Sequence, residues 1–404
     1  MPGVVDVHVH FREPGLEHKA TYRSESSAAA AGGVTTVFDM PNNGSKAIVD
    51  VDRLLAKLDV ARQSSFVDFG AYAYLCSADR GTVAALVEAG VAGFKWDMSL
   101  AGTEVAPGVR LPLPDEALPY FECAARAGAI VGVHAEDRPL VLDCTGRLRA
   151  EGRTDVLAHV EARPVEAELR SLRQAIDLCR RSGARLHVHH LSSAAGVDMV
   201  RDAKREGLPL SAETIPPFLF LDARDYVRVG TAMKIHPSVK YERDRAALWD
   251  ALIDGTIDCL ATDHAPHTFE EKMRDVWEAS PGAIGVQTSL PLMLTAAHDG
   301  RIGLDRLVEV MSTAPARLYG LYPRKGGIDP GFDADFVLVD PLAQAQIRNA
   351  DMLSPNRLTP FDGTTITGVP VRTILRGRTI ARDGGVAGEP GGRHVAPGYG
   401  SSTL

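Results

Sequence analysis

The sequence contains few cysteines and no close pair of them. The five cysteines among 404 residues stand singly and are odd in number. This pattern argues against a disulfide framework and against a cysteine-based zinc knot, and it is typical of a protein whose thiols stay reduced. We therefore expect no structural or catalytic role for cysteine.

Long apolar runs and clusters of basic residues are also absent. No stretch approaches the roughly 18 apolar residues of a membrane span, and residues 1–15 lack the basic start and apolar middle of a signal peptide. The formal net charge is -8, and no basic stripe offsets it. Such a charge argues against a nucleic-acid partner. We expect a cytoplasmic protein that binds neither nucleic acid nor a membrane.

The chain does contain a regular alternation of short β-like segments and longer helical segments. Eight segments are predicted to be buried or half-buried strands: residues 4–10, 34–41, 67–75, 92–98, 129–137, 185–193, 208–216 and 258–266. Alternating strands and helices indicate parallel strands, and eight of them over about 250 to 300 residues predict an α/β fold, a closed TIM-like (β/α)8 barrel. An open doubly wound sheet is the alternative, but no Gly-rich phosphate loop follows the first strand.

The domain prediction divides the chain into three parts. Residues 1–320 form the predicted barrel. Residues 321–385 read as short alternating strands with Gly, Asp and Pro turns, which predicts a small C-terminal β-sandwich-like unit. Residues 386–404 are rich in Gly and Pro and are predicted to be a loose tail.

Polar side chains stand at the predicted strand ends, and these ends meet at one mouth of a parallel barrel. The side chains are those of His8, His10, Lys95, His134, His187, His190 and Asp263. Imidazole and carboxylate groups suit zinc, with manganese or iron as alternatives, and their number allows more than one ion. A single histidine pair is more often a core feature than a metal site. Several such groups on separate strands, each costly to bury unpaired, favour a metal site.

Five other histidines lie in predicted helices, loops or the tail, and we interpret them as structural. They are His18, His159, His236, His298 and His394.

Seven short motifs along the chain resemble those of a known enzyme family. They are "DVHVHFREPG", "MPNN", "GFKW", "VHAED", "HVHHLSS", "LATDHAPHTFEEK" and "GAIGVQTSLPL". In this order the chain resembles the cyclic amidohydrolases, and among them most of all the dihydroorotases, from residue 4 to the segment 330–341. The resemblance implies a (β/α)8 barrel with a small β-sandwich, and two zinc ions bridged by a carboxylated lysine.

Carried over motif by motif, the resemblance implies roles for particular residues. His8, His10 and Asp263 would bind the more buried ion. His134 and His190 would bind the more exposed ion. N6-carboxylated Lys95 would bridge the two, which is chemically reasonable because a buried neutral amine can capture carbon dioxide and become an anion.

The resemblance also implies a reaction, the reversible cyclisation of N-carbamoyl-L-aspartate to L-dihydroorotate by a metal-bridged hydroxide, a step of pyrimidine biosynthesis. Asp263 would move the proton between the hydroxide and the departing nitrogen. Three residues would bind the carboxylate of this small-molecule substrate, namely Arg12, Asn42 and His267. A guanidinium suits that task because it offers two parallel donors.

Two alternatives remain open. Allantoinases and hydantoinases resemble this chain too, although they usually lack the arginine and the final histidine. A non-catalytic homologue is the other alternative. The chain reads "IPPF" at 215–218 and "IHPSVK" at 235–240, where many bacterial dihydroorotases have "TPHH" and "NPPLR". Both segments line the pocket in that family, so the chain departs from the family where the ring is recognised.

The start of the sequence also departs from the family, whose members carry some fifty residues ahead of the first barrel strand. Either the chain continues upstream, or the C-terminal β unit has an unpaired edge. An unpaired edge favours association or poor solubility. We expect a homo-oligomer, either a dimer or a tetramer.

Overall fold

The computed structural model describes residues 1–398, and its centre is a closed barrel of parallel strands. The barrel strands are β1 Val4–Val9, β2 Val34–Asp39, β3 Asp68–Ala71, β4 Phe94–Asp97, β5 Ile130–His134, β6 Arg185–Val188, β7 Leu210–Thr214 and β8 Cys259–Leu260. Neighbouring strands pair in chain order. The extension Ala73–Tyr74 of β3 pairs with β4. His10 N donates to His264 O at 2.8 Å, so the segment after β8 returns to β1 and closes the cylinder.

Helices surround the barrel. In chain order, α1 to α15 are Tyr22–Ala31, Val51–Ser64, Arg80–Glu88, Leu118–Arg126, Arg138–Ala150, Leu157–Glu161, Val165–Ser182, Ala194–Arg205, Pro216–Phe220, Tyr226–Val229, Glu242–Asp254, Phe269–Lys272, Ser289–His298, Leu304–Val308 and Ala314–Leu318. Side-chain caps start several of them, as where Asp50 accepts from Arg53 N at 2.8 Å. Glycine in a left-handed conformation ends α7 at Gly183, as the sequence predicts. None of the helices within residues 1–398 is long and apolar enough to cross a membrane.

The predicted (β/α)8 barrel with a C-terminal β unit is confirmed. The C-terminal unit is a four-stranded antiparallel sheet whose strands lie in chain order. They are β9 Phe336–Gln346, β10 Thr365–Leu375, β11 Arg378–Arg382 and β12 Gly385–Val386. The sheet packs against the barrel helices, chiefly through β10 against α13.

The outer edge of β9 is covered or interrupted over much of its length. Val337 N donates to Met1 O at 3.0 Å and Gly3 N donates to Asp335 O at 2.9 Å, so the first residues of the chain pair with the beginning of β9. Farther along, the pairing register shifts between Asp340 and Gln344. The side chain of Asp340 accepts the amides of two residues in this bulge. Bulges of this kind reduce edge-to-edge association.

The structure corrects the prediction of a loose tail at 386–404. Phe69 N donates to Arg393 O at 3.0 Å and Val395 N donates to Phe69 O at 2.8 Å, so this segment runs beside β3 at the end opposite the mouth. Glycine permits the approach, because a Cβ at Gly392 would lie 2.0 Å from Val67 O. The prediction is therefore wrong for residues 386–398, and 399–404 lie outside the described residues.

Candidate metal and substrate site

A cavity of about 360 Å³ opens at the carboxyl ends of the barrel strands. All nine residues that the family resemblance implies for the site line this one cavity: His8, His10, Arg12, Asn42, Lys95, His134, His190, Asp263 and His267. They come from six barrel strands or the loops that follow them. The topology therefore gathers groups that lie up to 259 residues apart in the chain (His267 minus His8).

Three of these residues have a backbone conformation that is uncommon outside glycine. The φ angles are 70° at Arg12, 34° at His190 and 48° at Asp263. All three lie just beyond the end of a strand, where the chain turns into a loop. Such conformations cost free energy and concentrate at functional sites, because they aim side chains that a regular strand would direct elsewhere.

The first group of possible ligands contains His8, His10 and Asp263. Oδ1 of Asp263 lies 2.9 Å from Nε2 of His10 and 3.3 Å from Nε2 of His8. Nε2 of His8 is buried and has no hydrogen-bond partner among the described residues. Ligand atoms around a tetrahedral zinc ion lie roughly 3.3 Å apart. The spacing and the unpartnered nitrogen both fit a shared cation.

The carboxylate of Asp263 is held in its ionised form. Burial acts to raise its pKa, but the neighbouring His8 and His10 outweigh burial and keep the pKa below its ordinary value. An ionised carboxylate is what both a metal ligand and a proton acceptor require.

The second group contains two histidines on neighbouring strands. Nδ1 of His134 lies 3.0 Å from Nε2 of His190, and both rings are buried. Burial, followed by the effect of His134, holds the pKa of His190 well below its ordinary value. A neutral imidazole keeps a lone pair for a metal ion, so this pair fits a second cation.

Lys95 projects into the cavity from β4, between the strands that carry these groups. Lys95 is buried, with only 5% of its surface exposed. Burial lowers its pKa, and the carboxylates of Asp97, Asp263 and Glu213 oppose that shift. The lowered pKa favours the neutral amine, which is the form that reacts with carbon dioxide.

Oxygen acceptors hold the outer ring nitrogens of three cavity histidines. Nδ1 of His10 lies 2.7 Å from the amide oxygen of Asn42. Nδ1 of His8 contacts the Glu213 carboxylate, and Nε2 of His134 lies 2.8 Å from Glu136 Oε2. Each acceptor fixes which nitrogen carries the proton and leaves the other directed at the cavity.

Glu213 lies in the barrel interior beneath the cavity. Besides His8, it contacts His189 Nδ1 at 3.2 Å and His187 Nε2 at 3.0 Å. His187 therefore points into the core and does not line the cavity, contrary to its predicted place at the mouth. The ring of His189 lies against Gly132, where a Cβ would be 2.1 Å from Nε2. These distances are those of hydrogen bonds, so this cluster is a polar support for the site above it.

The cavity has a cationic corner beside β1 and β8. Arg12 Nε donates to Pro266 O at 2.8 Å, and Arg12 Nη2 lies 3.0 Å from Nε2 of His267. Lys19 Nζ lies 3.2 Å from the other ring nitrogen of His267. Burial, then Arg12 and Lys19, lower the pKa of His267, so its imidazole is neutral between two cations. This corner suits an anionic group.

Several lining residues were missed by the sequence prediction. They are Tyr74, Asp97, Ser99, Leu100, His236, Ala265, Pro281 and Gly282. His236 was interpreted as structural, but it lines the cavity, and its ring stacks at 5.4 Å on that of His159. A usable signal was its place in "IHPSVK", which follows the seventh strand and differs from the family pattern.

The donor set therefore fits a pair of metal ions. It offers four imidazoles, one ionised carboxylate and one buried amine at a single mouth. Nitrogen and oxygen ligands in such numbers suit zinc, and the acceptors behind the histidines are typical of metal sites.

Comparisons with known proteins agree with this geometry. The sequence model of the Amidohydrolase family matches residues 1–380. A dihydroorotase of Halobacterium salinarum is 38% identical over 407 residues, which cover 98% of this chain and 89% of that protein. An allantoinase of Rubrobacter xylanophilus is 36% identical over 403 residues, which cover 98% of this chain and 87% of that protein.

A solved structure is similar over nearly the whole chain. The L-hydantoinase (dihydropyrimidinase) from Arthrobacter aurescens superposes with a TM-score of 0.93 at 34% identity, covering 98% of this chain and 88% of that one. Family match, sequence identity and fold agree. The chain therefore belongs to the amidohydrolase family.

Proposed function

We propose that this protein is a zinc-dependent dihydroorotase, which interconverts N-carbamoyl-L-aspartate and L-dihydroorotate. The coarser assignment, a hydrolase that acts on cyclic amides, follows from the family and the relatives. The observation that carries the finer proposal is the pair of Arg12 and His267 in the cavity wall. Lys19 lies behind His267 and is paired there with Glu271 at 3.0 Å. Dihydroorotate has a ring carboxylate, whereas hydantoin and allantoin lack one.

The proposed ligand set uses both groups of the cavity. His8, His10 and Asp263 would hold one zinc ion. His134 and His190 would hold the other, and Lys95 would bridge them as its N6-carboxylate. Bound in this way, zinc would polarise the amide carbonyl and lower the pKa of a water molecule between the ions.

Asp263 is the group that we propose to move the proton. Its carboxylate is ionised and faces the cavity at 2.9 Å from His10 Nε2. It would accept a proton from the attacking water and deliver that proton to the departing ring nitrogen. In the direction of ring closure the two transfers run in reverse order.

Asn42 is proposed to assist Arg12 and His267 at the substrate carboxylate. Its amide oxygen already accepts a hydrogen bond from His10. The amide N–H groups are therefore the donors that Asn42 can offer to a substrate. The residue would join the metal site to the carboxylate site.

The test is the variant Arg12→Met, assayed on L-dihydroorotate and on unsubstituted hydantoin. Removing one partner of a buried charge pair costs roughly 2 kcal/mol or more, so kcat/KM for dihydroorotate should fall at least about 30-fold. The zinc content should stay that of the wild type. Arg180→Met removes an exposed arginine paired with Glu206 and serves as the matched control. Undiminished dihydroorotate turnover in the zinc-loaded Arg12→Met protein would refute the proposal.

A hydantoinase or allantoinase activity is the second candidate. The cavity wall at His236 and the segment at 215–218 favour it, because both depart from the dihydroorotase pattern. The similar solved structure is that of a hydantoinase. Assays of the zinc-loaded protein on dihydroorotate, allantoin and hydantoin side by side decide between the two. A protein that binds no zinc and turns over none of the three would instead be a non-catalytic homologue.

A further inference from the structure

The two ring nitrogens of His134 have different surroundings. Nδ1 faces His190 across 3.0 Å, within the cavity. Nε2 faces Glu136 Oε2 across 2.8 Å, outside the cavity. The two contacts lie on opposite sides of one ring. The outer contact with Glu136 therefore fixes the orientation of the ring and the protonation of the inner nitrogen.

Glu136 is a buried carboxylate, only 1% exposed. The guanidinium of Arg163 donates to Oε2 of Glu136, the same oxygen that faces His134. That oxygen is therefore the acceptor in both contacts. Nε2 of His134 must supply the hydrogen in this contact, which leaves a lone pair on Nδ1.

Arg163 anchors Glu136 from a second part of the chain. One of its terminal nitrogens contacts the same oxygen, Oε2, that accepts from His134. The backbone oxygen of Arg163 accepts in turn from Lys240 Nζ. The carboxylate is thus held between β5 and the segment before α7, and its position does not depend on the cavity being filled.

The other ligand group has separate supports. His8 contacts Glu213 and His10 contacts Asn42, and within residues 1–398 no hydrogen bond joins these four groups to Glu136 or Arg163. A change at Glu136 should therefore reach one half of the site and spare the other.

We propose that Glu136, anchored by Arg163, is a positioning residue that fixes His134 for the ion shared with His190. This inference rests on the proposed function, because it concerns one of the two zinc ions assumed there. A purely structural ion pair between Glu136 and Arg163 is the competing explanation. It predicts a change in stability without a selective change in metal affinity.

The experiment is a zinc titration of the full-length apo protein by isothermal calorimetry, with the bound zinc counted by atomic absorption. Glu136→Gln removes the charge and keeps the size of the side chain. Loss of such outer partners typically costs about 10- to 100-fold in metal affinity. We expect that loss at one of two sites, with the other unchanged. Glu168→Gln is the matched control, since Glu168 is an equally buried carboxylate that accepts hydrogen bonds from Ser192 and Ser193.

Double variants identify which ion is affected. In a His190→Asn background the affected ion is already weakened, so Glu136→Gln should not change the affinity of the remaining site. In a His10→Asn background the remaining site contains His134, and Glu136→Gln should still weaken it about 10- to 100-fold. An equal effect in both backgrounds would overturn the proposal.

Folding and function are checked separately. Arg163→Met keeps the Glu136 side chain but removes its anchor, so it tests the same arrangement if Glu136→Gln proves unstable in thermal unfolding. We expect a smaller loss at the same site. Two zinc ions bound with wild-type affinity by both variants would overturn the positioning role alone. A wild-type protein that binds no zinc would overturn the proposed function and this inference with it.

Discussion

Lys272 is a buried lysine beside the cavity that no sequence pattern marks as important. Its Nζ donates to the backbone oxygens of Lys234 at 3.0 Å, Ser280 at 3.1 Å and Gly282 at 2.7 Å. These bonds join the loop after β7 to the loop that carries Pro281 and Gly282, two residues of the cavity wall. Lys272 thus shapes the wall without touching the cavity.

The pKa of Lys272 leads to a prediction about stability and pH. Burial, then Lys234 and Arg12, lower this pKa to about 7, while an unfolded lysine has a pKa of about 10.4. Between these values the unfolded state binds more protons, so the stability contributed by this group rises with pH. Below about pH 7 both states are protonated and the rise is absent.

The variant Lys272→Met should lack this rise. Urea unfolding at about pH 7 and about pH 9.5 gives the free energy of unfolding for both proteins, and the comparison removes the other groups that titrate in that range. The wild type should gain more on going to the higher pH than the variant does. Equal gains in the two proteins would show that Lys272 keeps its proton when folded.

The sequence predicts the histidines of the site more readily than their partners. A histidine at a strand end is a recognisable signal, whereas Glu136 and Glu213 look like ordinary acidic residues. Their importance depends on the ring nitrogen that each one faces, and that is a three-dimensional property. The extra cavity residue His236 was missed because it lies in a loop and not at a strand end, although its place in "IHPSVK" was a usable signal.

At the scale of elements, the eight barrel strands were predictable because each is a short apolar run bounded by turn residues. Helix α7 was predictable because its apolar residues recur at helical spacing and Gly183 follows it. The segment after β12 was not predictable, since its Gly and Pro content suggests disorder. In the structure those glycines instead allow the backbone to lie close to β3.

This terminal segment yields a second prediction about stability. Val395 is 3% exposed and packs beneath the barrel. Val395→Ala should lower the free energy of unfolding by about 1 to 2 kcal/mol, because it removes buried methyl groups and leaves a small void. Denaturant unfolding measures the change, and kcat should be unchanged because the segment lies opposite the mouth. Wild-type stability in Val395→Ala would mean that the segment is not packed in solution.

For the whole molecule, the two ligand groups tie together strands from both halves of the barrel. Removal of the proposed metal ions should therefore lower the melting temperature. A ligand at about 1,000 times its Kd stabilises the folded state by about 4 kcal/mol, which corresponds to roughly 5 °C for a chain of this size. Differential scanning calorimetry with a chelator, and again after zinc is restored, measures the shift.

Adding metal back tests whether the loss of thermal stability is reversible and specific to zinc. Zinc should restore the original melting temperature, while calcium, which prefers all-oxygen ligands, should not. An identical melting temperature with and without chelator would contradict a tightly bound metal pair. The predicted homo-oligomer stays a prediction, and sedimentation of the same samples reports it.

Gly132 lies against the ring of His189 and limits which substitutions this protein can accept during evolution. Any larger residue there must displace that ring, which shares the Glu213 carboxylate with His8. New substrate ranges should therefore arise through exchanges in the loops around the mouth, where neighbours can give way. A saturation library across β5 and those loops should recover active clones with many different loops and with glycine alone at position 132.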